Sequence, residues 1–520
     1  MQSDSSLLSR PQHPTNSGPR SDNRGVAVVR LVGRHTQDKL AWLLWVTLGA
    51  AVLVGLICDS IGWMYPYPEN ALGIIEQVVR GGRVPIVFAA FLFPRLADVH
   101  SRAASGLFAL TIFLINIGSI LTIANKSASM FAAGMVLYSI GSSGLVQLPL
   151  LFVSDYTSLR WRGMALAGVY FAPLITMWIE DPISDHVSRE WAFGGFTILM
   201  LGICTPALLV LHFIASRHPN EIPQKQAQFI LKAWDGIVRM DPVGLVLFTA
   251  GLALVDYNTE VWWGGDIEGR SRRIALLIVG FILVFPVFAL WEIYLASFPI
   301  MPKWMFQKRG VLLAIMITFF YRIAIVTSML VYGYYRNQNW SFTTGKYYLK
   351  TYDMSRYVFA PIFGCLYLLS HRYKLYLLIG CAILVVYSGL GLYSARIFRL
   401  SEVPHSMALL YAIQILRGIS EVAIDLGIMV GSQASIPHDG LATLMGVIDA
   451  LTMLAGAINP SSSASNSLTS SHIFESNGKL YTVFYSLAFG FAILCLLFSF
   501  FMPDHYLGDA HNTVEKNEEE

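Results

Sequence analysis

Long apolar runs recur along the whole chain, separated by short polar stretches. A bilayer-spanning helix needs about 20 mostly apolar residues, and about fourteen stretches meet that length. They lie near residues 40–64, 72–95, 104–124, 128–153, 162–180, 191–215, 241–257, 273–297, 310–334, 355–371, 374–395, 405–432, 438–460 and 480–502. The shortest are 241–257 and 355–371. Between the sixth and seventh runs lies the longest inner loop, residues 216–240. There Phe229, Ile230, Trp234 and Ile237 can share one helical face. A helix lying on the membrane surface and an ordinary linker between two bundles both fit.

Composition agrees with the pattern. Of 520 residues, 55% are hydrophobic and 13% charged, against roughly 25% charged in soluble domains. Mean hydropathy is +0.55. A polytopic, all-α membrane protein follows. A net charge of +3 is too small to point to nucleic acid. The five cysteines lie in apolar runs without metal-ligand spacing, as packed thiols do. No metal cluster, cofactor motif or nucleophile–base set is visible, so no cofactor, no metal ligand and no enzymatic activity are expected.

Lys and Arg in short loops set orientation. With the polar tail of residues 1–39 inside, the inner side of the first six runs gathers Arg24, Arg30, Arg34, Lys39, Arg95, Arg102, Arg160, Arg162, Arg217, Lys225, Lys232 and Arg239. The outer loops of that half hold Lys126 and Arg189. Both termini are then cytosolic. The expected divisions are a disordered tail over 1–39, a six-helix bundle over 40–215, and an inner loop with two extra helices over 216–300. A second six-helix bundle follows over 301–502, then an acidic tail over 503–520.

Charges inside these runs are the candidate chemistry, because each costs roughly 3 kcal/mol at a helix centre unless it is paired or hydrated. Asp59 ends a charge-free run from Leu40 to Ile57. It suits a carboxylate that gains and loses a proton, or a residue at headgroup level beside Tyr65 and Tyr67. Arg417, Glu421 and Asp425 are spaced i, i+4, i+8, so they form one stripe. Arg417 and Glu421 can pair along it, and the stripe must face the interior or water. Coupling and helix-locking both fit it. Arg80, Arg83, Arg322 and Asp449 are further charges within runs. Arg322 suits contact with an anionic substrate or a structural pair with Asp425 or Asp449.

The loop FPRLADVHSRAASGLF after the second run resembles the major facilitator signature G-x-L-A-D-x-x-G-R. Leu96, Ala97, Asp98 and Arg102 match it, with Pro94 and Ser101 at the two glycine positions. The resemblance implies a cytosolic latch in which Asp98 and Arg102 pair with the neighbouring bundle in one conformation. The stretch Ala132–Ile179 is similar to fungal siderophore–iron transporters through Gly134, Tyr138, Gly141, Gly144, Asp155, Ser158, Leu159 and Arg162. So are LICDSIGWMYPYP, WDGIVRMDPVGLVLFTAGLAL, FPIMPKWMFQKRGVLLAIMITFFYR, GSQASIPHDG and YLGDAHNTVE. This family is a fourteen-span branch of the major facilitator superfamily with two extra helices between its six-helix halves.

The resemblance implies proton-coupled import of a ferric siderophore by alternating access. The family carries an acid where Asp59 stands, so the resemblance implies a proton-coupling role for Asp59. Glu421 departs from the family's Gly-rich pattern; Glu421 and Asp425 as further proton-coupling acids, and Arg322 and Arg417 as substrate contacts, are expected from their charge within the runs. Iron would be held by the siderophore rather than by protein ligands. The partners implied are a small-molecule substrate, protons and the lipid bilayer. The plasma membrane is the expected location, with endosomal or vacuolar membrane as the alternative. The chain departs from the family in residues 459–480, where a serine-rich loop without Trp or Tyr stands in place of a long aromatic one. Export or exchange of another organic anion or drug, and a paralogue that does not transport, are the competing readings.

Overall fold

A computed structural model of the chain describes position 49, residues 83–99, 105–124, 127–188, parts of 191–209, 238, 240–258, 270–336, 342–401, 407–437, 440–457 and 477–509. Asp59, Arg80, Arg102, the 216–237 segment and the 459–476 loop lie outside the described residues. Those described are helical, apart from short turns and one isolated bridge between Arg372 and Tyr506.

The helices are α1 (Arg83–Val99), α2 (Ser105–Ile123), α3 (Ala128–Tyr156), α4 (Leu159–Phe171), α5 (Pro173–His186) and α6 (Pro242–Asn258). Next comes α7 (Arg270–Leu295), then α8 (Lys303–Gln307), α9 (Arg309–Arg336), α10 (Phe342–Ser370), α11 (Lys374–Ser401), α12 (Met407–Ala434), α13 (Leu441–Ala457) and α14 (Asn477–Phe500). Among the described residues five segments are long and apolar enough to cross a membrane: Ser129–Ser154, Arg270–Leu295, Lys374–Arg396, Met407–Ala434 and Thr482–Phe500. Shorter apolar helices accompany them. The protein is an integral membrane protein.

Polar side chains inside these helices mostly satisfy themselves. Thr111, Ser154, Thr249, Thr318 and Ser388 donate to carbonyls three or four residues back, at 2.7–2.8 Å. No polar hydrogen is then left in an apolar setting. Ser127 begins α3 by accepting from Met130 N at 3.3 Å. In α7 the backbone widens to π-helical turns over residues 283–287 and 291–295. Pro286 lies in the first of these turns; it lacks an N–H and would clash with a carbonyl one turn back in regular register.

The helices before residue 210 and those from α9 onward form two sets. They meet along two seams, α1 against α13 and α4 against α10. Within the first set, α2 and α3 approach at backbone distance. A Cβ on Gly141 would lie 2.8 Å from Ile115 N and 2.8 Å from Thr111 O, and one on Gly134 2.9 Å from Gly118 O. Small residues at such spacing are what lets membrane helices close on one another.

α6 and α7 pack together outside the two sets, with α6 against α1. Asp241, with φ of 49°, starts α6 by accepting from Gly244 N at 3.1 Å. It also accepts from Trp291 Nε1 at 2.9 Å. Glu292 accepts from Ile300 N and Met301 N at 3.1 and 3.0 Å, fixing the turn after α7. Arg95 donates to the carbonyl of Pro299, which ties α1 to that turn.

Beyond α14, residues 502–509 form a strap across the ends of several helices. Leu507 N donates to His371 O at 3.0 Å, and Arg372 pairs with Asp504. Tyr373 OH donates to Pro503 O, and Ser435 Oγ lies 3.1 Å from His505 Nε2. Arg160 N, at the start of α4, donates to Gly508 O at 3.0 Å. The strap therefore joins the second set of helices to the first.

The tenth apolar run is longer than its hydropathy suggests. The expected 355–371 span is the C-terminal part of α10, which starts at Phe342. The added turns contain Lys346, Lys350 and Asp353, which, with Arg356 just inside the expected span, lower the hydropathy of any window there. Lys350 and Arg356 turn towards partners on other helices instead of lipid, as the site shows.

Candidate functional site

Three helices of the second set bring five charges together. α12 contributes Arg417, Glu421 and Asp425, all buried at 3, 2 and 6% exposure. The i, i+4, i+8 stripe thus points inward, as its charge requires. α9 contributes Arg322 and α10 contributes Arg356.

Arg322 forks between the two acids. Its Nη1 donates to Glu421 Oε1 at 2.8 Å, and its Nη2 donates to both oxygens of Asp425 at 2.8 and 3.0 Å. Arg356 approaches the same pair at 3.8 Å from Glu421 and 3.5 Å from Asp425. Two tyrosines complete the carboxylates. Tyr321 OH donates to Asp425 Oδ1 at 2.7 Å, and Tyr352 OH donates to Glu421 Oε2. Paired, hydrogen-bonded geometry of this kind is what lets buried charges persist.

Arg417 does not take Glu421 as its ion pair, although helical spacing allows it. Its guanidinium stacks 4.0 Å above the Tyr352 ring, and its Nε and Nη2 find no hydrogen-bond partner. Glu421 is instead held by α9 and α10. Three guanidiniums face two carboxylates, so the cluster carries one excess positive charge.

Asp425, not Asp449, is the acid that Arg322 engages. Asp449, on α13, is half-buried and makes no ion pair or hydrogen bond among the described residues. It lines a cavity of about 10 Å³ together with Gln147, Phe93 and Met445, roughly the room one water needs.

The cluster reaches across a seam to the first set. Arg356 lies 5.6 Å from the ring centroid of Tyr170 on α4. About two turns away, Lys350 donates to Met177 O on α5 at 3.0 Å and lies over Trp178. Towards the opposite end of α4, Gly163 meets the Tyr367 ring, and Arg160 N bonds the strap. The α4–α5/α10 seam is bridged at both ends.

Other residues singled out in the sequence are placed as follows. Asp98 is the penultimate residue of α1; its side chain and Arg102 lie outside the described residues, as does Asp59. Gly134, Gly141 and Gly144 form the face of α3 that meets α2 and α1. Ser158 is the N-cap of α4. Arg162 is fully buried and donates to Thr157 O at 3.0 Å. Cys381 and Cys495 are buried and Cys365 is exposed. Among the described residues no group of three or more His, Cys, Asp or Glu side chains could hold a metal ion.

Arg356, Tyr321 and Tyr352 are the members of the site that sequence reasoning passed over. Arg356 begins the short tenth run, where it reads as a flanking charge. The tyrosines carry no signal until their hydroxyls are seen on carboxylates.

No protein-family model matches the chain. A low affinity heme transporter of Schizosaccharomyces pombe is 26% identical over 481 residues, covering 84% of this chain and 72% of the relative. A siderophore transporter of Zymoseptoria tritici is 27% identical over 388 residues, covering 70% and 58%. Siderophore iron transporter 1 of S. pombe is 26% identical over 388 residues, covering 72% and 61%. The chain thus spans about three-fifths of the length of these two siderophore transporters. Among solved structures, the proton:xylose symporter XylE aligns with TM-score 0.52 at 13% identity, covering 96% of this chain and 99% of its own. A human organic anion transporter aligns with TM-score 0.51 at 15% identity, covering 92% and 99%. The two seams and the flanking α6–α7 pair are therefore those of a major facilitator fold, and over most of its length the chain is similar in sequence to the fungal siderophore–iron transporters.

Proposed function

We propose that the protein is a proton-coupled secondary transporter that imports an iron chelate, a ferric siderophore, by alternating access. The observation that carries this reading is the buried cluster of Arg322, Arg356 and Arg417 around Glu421 and Asp425. An anionic group on the substrate can take up the excess positive charge. As it competes for Arg322 or Arg417, Glu421 or Asp425 loses a cationic partner. The freed carboxylate then favours the protonated form, which links substrate binding to proton binding. Tyr321 and Tyr352 stay in reach to hydrogen-bond either protonation state.

Movement between the two sets of helices exposes the cluster to one side and then the other. In this reading the bridges at Lys350–Met177 and Arg160–Gly508 are contacts that break in alternation. Asp98 and Arg102 act as the latch at the cytosolic side, and Asp59 is a further proton-coupling acid in the first span. The relatives named siderophore transporters support the substrate class.

A second reading is favoured by a different observation. The relative named a heme transporter, and the cationic excess of the cluster, suit a carboxylate-bearing iron chelate such as heme, or another organic anion. Uptake of radiolabelled ferric siderophore and of heme, each into iron-starved cells lacking other carriers, tests both. Saturable uptake of the siderophore that is lost in Glu421→Gln at unchanged protein level supports the leading reading. Uptake of heme alone replaces it with the second, and uptake of neither sinks both as readings of an iron-chelate carrier.

A further inference from the structure

The charge cluster leaves one acid unused. Asp449 lies on α13, the helix that forms a seam with α1. It has no ion pair or hydrogen bond among the described residues, unlike Glu421 and Asp425. The cavity that it lines is shared with the opposite set of helices: Gln147 comes from α3 and Phe93 from α1.

Gln147 is only 9% exposed. Its Nε2 donates to Ser143 Oγ at 3.2 Å, and its Oε1 finds no partner. An amide oxygen and a carboxylate thus line the same water-sized space. Both are acceptors, and two acceptors need a hydrogen between them. The apolar side chains Phe93 and Met445 supply none. A protonated Asp449 supplies it directly; an ionised Asp449 meets Gln147 Oε1 only through a water that donates to both.

The amide also suits the opposite state. If Gln147 turns over, Nε2 faces the cavity and can donate to an ionised carboxylate. Ser143 then donates to Oε1 in place of accepting from Nε2, since a hydroxyl does either. The pair Ser143–Gln147 can therefore serve Asp449 with and without its proton.

We propose that Asp449 is a proton-binding site at the α1/α13 seam, with Gln147 as its positioning residue. The step is simple: the carboxylate takes a proton from a hydronium ion, leaving water, and returns it when the seam opens on the other side. The charged groups acting on Asp449 are Arg322 from α9, of opposite sign, and Asp425 from α12, of like sign. Tyr170 from α4 is a further titratable group that interacts electrostatically with Asp449. The cavity lining from α1 and α3 is Phe93, Pro94, Gln147, Leu148 and Leu151, none of them charged. Because the α1/α13 seam separates as the halves move, the site changes its access to water with each transport cycle. This proposal rests on the transporter reading above and assigns the proton of that reading to a residue outside the arginine cluster.

The test is infrared difference spectroscopy of the purified full-length protein in lipid, taken as a pH titration. A carbonyl stretch of a protonated carboxyl should titrate in the wild type and vanish in Asp449→Asn. In Gln147→Leu it should remain, with a shifted frequency and midpoint. A band unchanged in Asp449→Asn, or no titrating band in the wild type, overturns the proposal. The Gln147→Leu band coinciding with the wild type would remove the positioning role. Uptake of ferric siderophore is measured on the same variants. If the wild type carries no iron chelate while the band still disappears in Asp449→Asn, the transport reading falls and the proton site stands. If uptake is present and Asp449→Asn retains both concentrative uptake and its pH profile, the site falls and the reading stands. The expected result is loss of concentrative uptake in Asp449→Asn with substrate exchange across the membrane retained.

Discussion

The two halves of the molecule hold themselves together by different means. In α2 and α3 the buried polar residues are uncharged, and several bond to their own helix, as Thr111 does to Phe108 O and Ser154 to Leu150 O. Contact between these helices comes from glycine, with Gly141 against the backbone of α2. α9, α10 and α12 add charged residues whose partners lie on other helices. Arg322 and Arg356 reach Glu421 and Asp425 from two directions. The first arrangement is stiff and has little chemistry. The second stores charge whose balance a ligand or a proton can alter. A carrier with both has one half suited to move as a unit and one suited to respond.

Breaking the charged half should have the largest effect. Arg322→Ala removes the principal cation from both acids and should destabilise the protein by about 3–5 kcal/mol, as loss of one member of a buried ion cluster does. Thermal unfolding in detergent measures it. A change of under about 1 kcal/mol, as for an exposed pair, would mean that water already screens the cluster and would erase the contrast between the halves. Tyr352→Phe sharpens the same point. It removes one hydrogen bond to a charged acceptor and should cost about 1.5–3 kcal/mol, with Arg417 still able to stack on the ring.

The glycine contact should be next. Gly141→Ala places a methyl group against backbone atoms at 2.8 Å, which no rotamer change can relieve. The expected cost is about 1–3 kcal/mol, seen in the same unfolding assay. If Gly141→Ala costs more than Arg322→Ala, the order of importance between the halves is reversed.

The strap should give the smallest effects. Arg372 and Asp504 are 52% and 38% exposed, so Arg372→Ala should cost no more than about 1 kcal/mol. His505 adds a pH dependence. Burial holds its imidazole below the ordinary histidine value, with Asp504 opposing. The folded strap therefore binds the proton less readily than the unfolded chain. Its contribution is complete above the ordinary value near about 6.5 and declines as pH falls through it. The protection of residues 502–509 against hydrogen exchange, taken relative to the intrinsic rate at each pH, should fall on acidification, and His505→Phe should remove that dependence. An unchanged exchange profile across this range would show that the His505 contact does not hold the strap.

What the sequence revealed followed from how local each interaction is. Runs of apolar residues and the i, i+4, i+8 stripe of α12 are local patterns, and the helices and the inward face of Arg417, Glu421 and Asp425 agree with them. The partner of Glu421 was not readable. Spacing along one helix favours Arg417, whereas Arg322 and Arg356 come from 99 and 65 residues away and win by geometry. Arg356 was missed because the charges of α10 shorten its apolar window, although Arg356 is paired with carboxylates on α12 and Lys350 bonds a carbonyl on α5. Arg322 had two acids open to it in the sequence, Asp425 and Asp449. Choosing between them needs the angle at which α9 crosses α12, which no linear pattern contains.

The strap has a consequence for how strongly it closes. Gly508 follows the end of α14 at Phe500 by eight residues, so the hydrogen bond to Arg160 forms within one chain. Short tethers of this kind give effective concentrations in the millimolar range. A free peptide copying residues 502–509 would have to approach that concentration to take the strap's place. Weak individual contacts can thus hold the ends of the two halves together for as long as the tether is intact, and still let go quickly once the halves move apart.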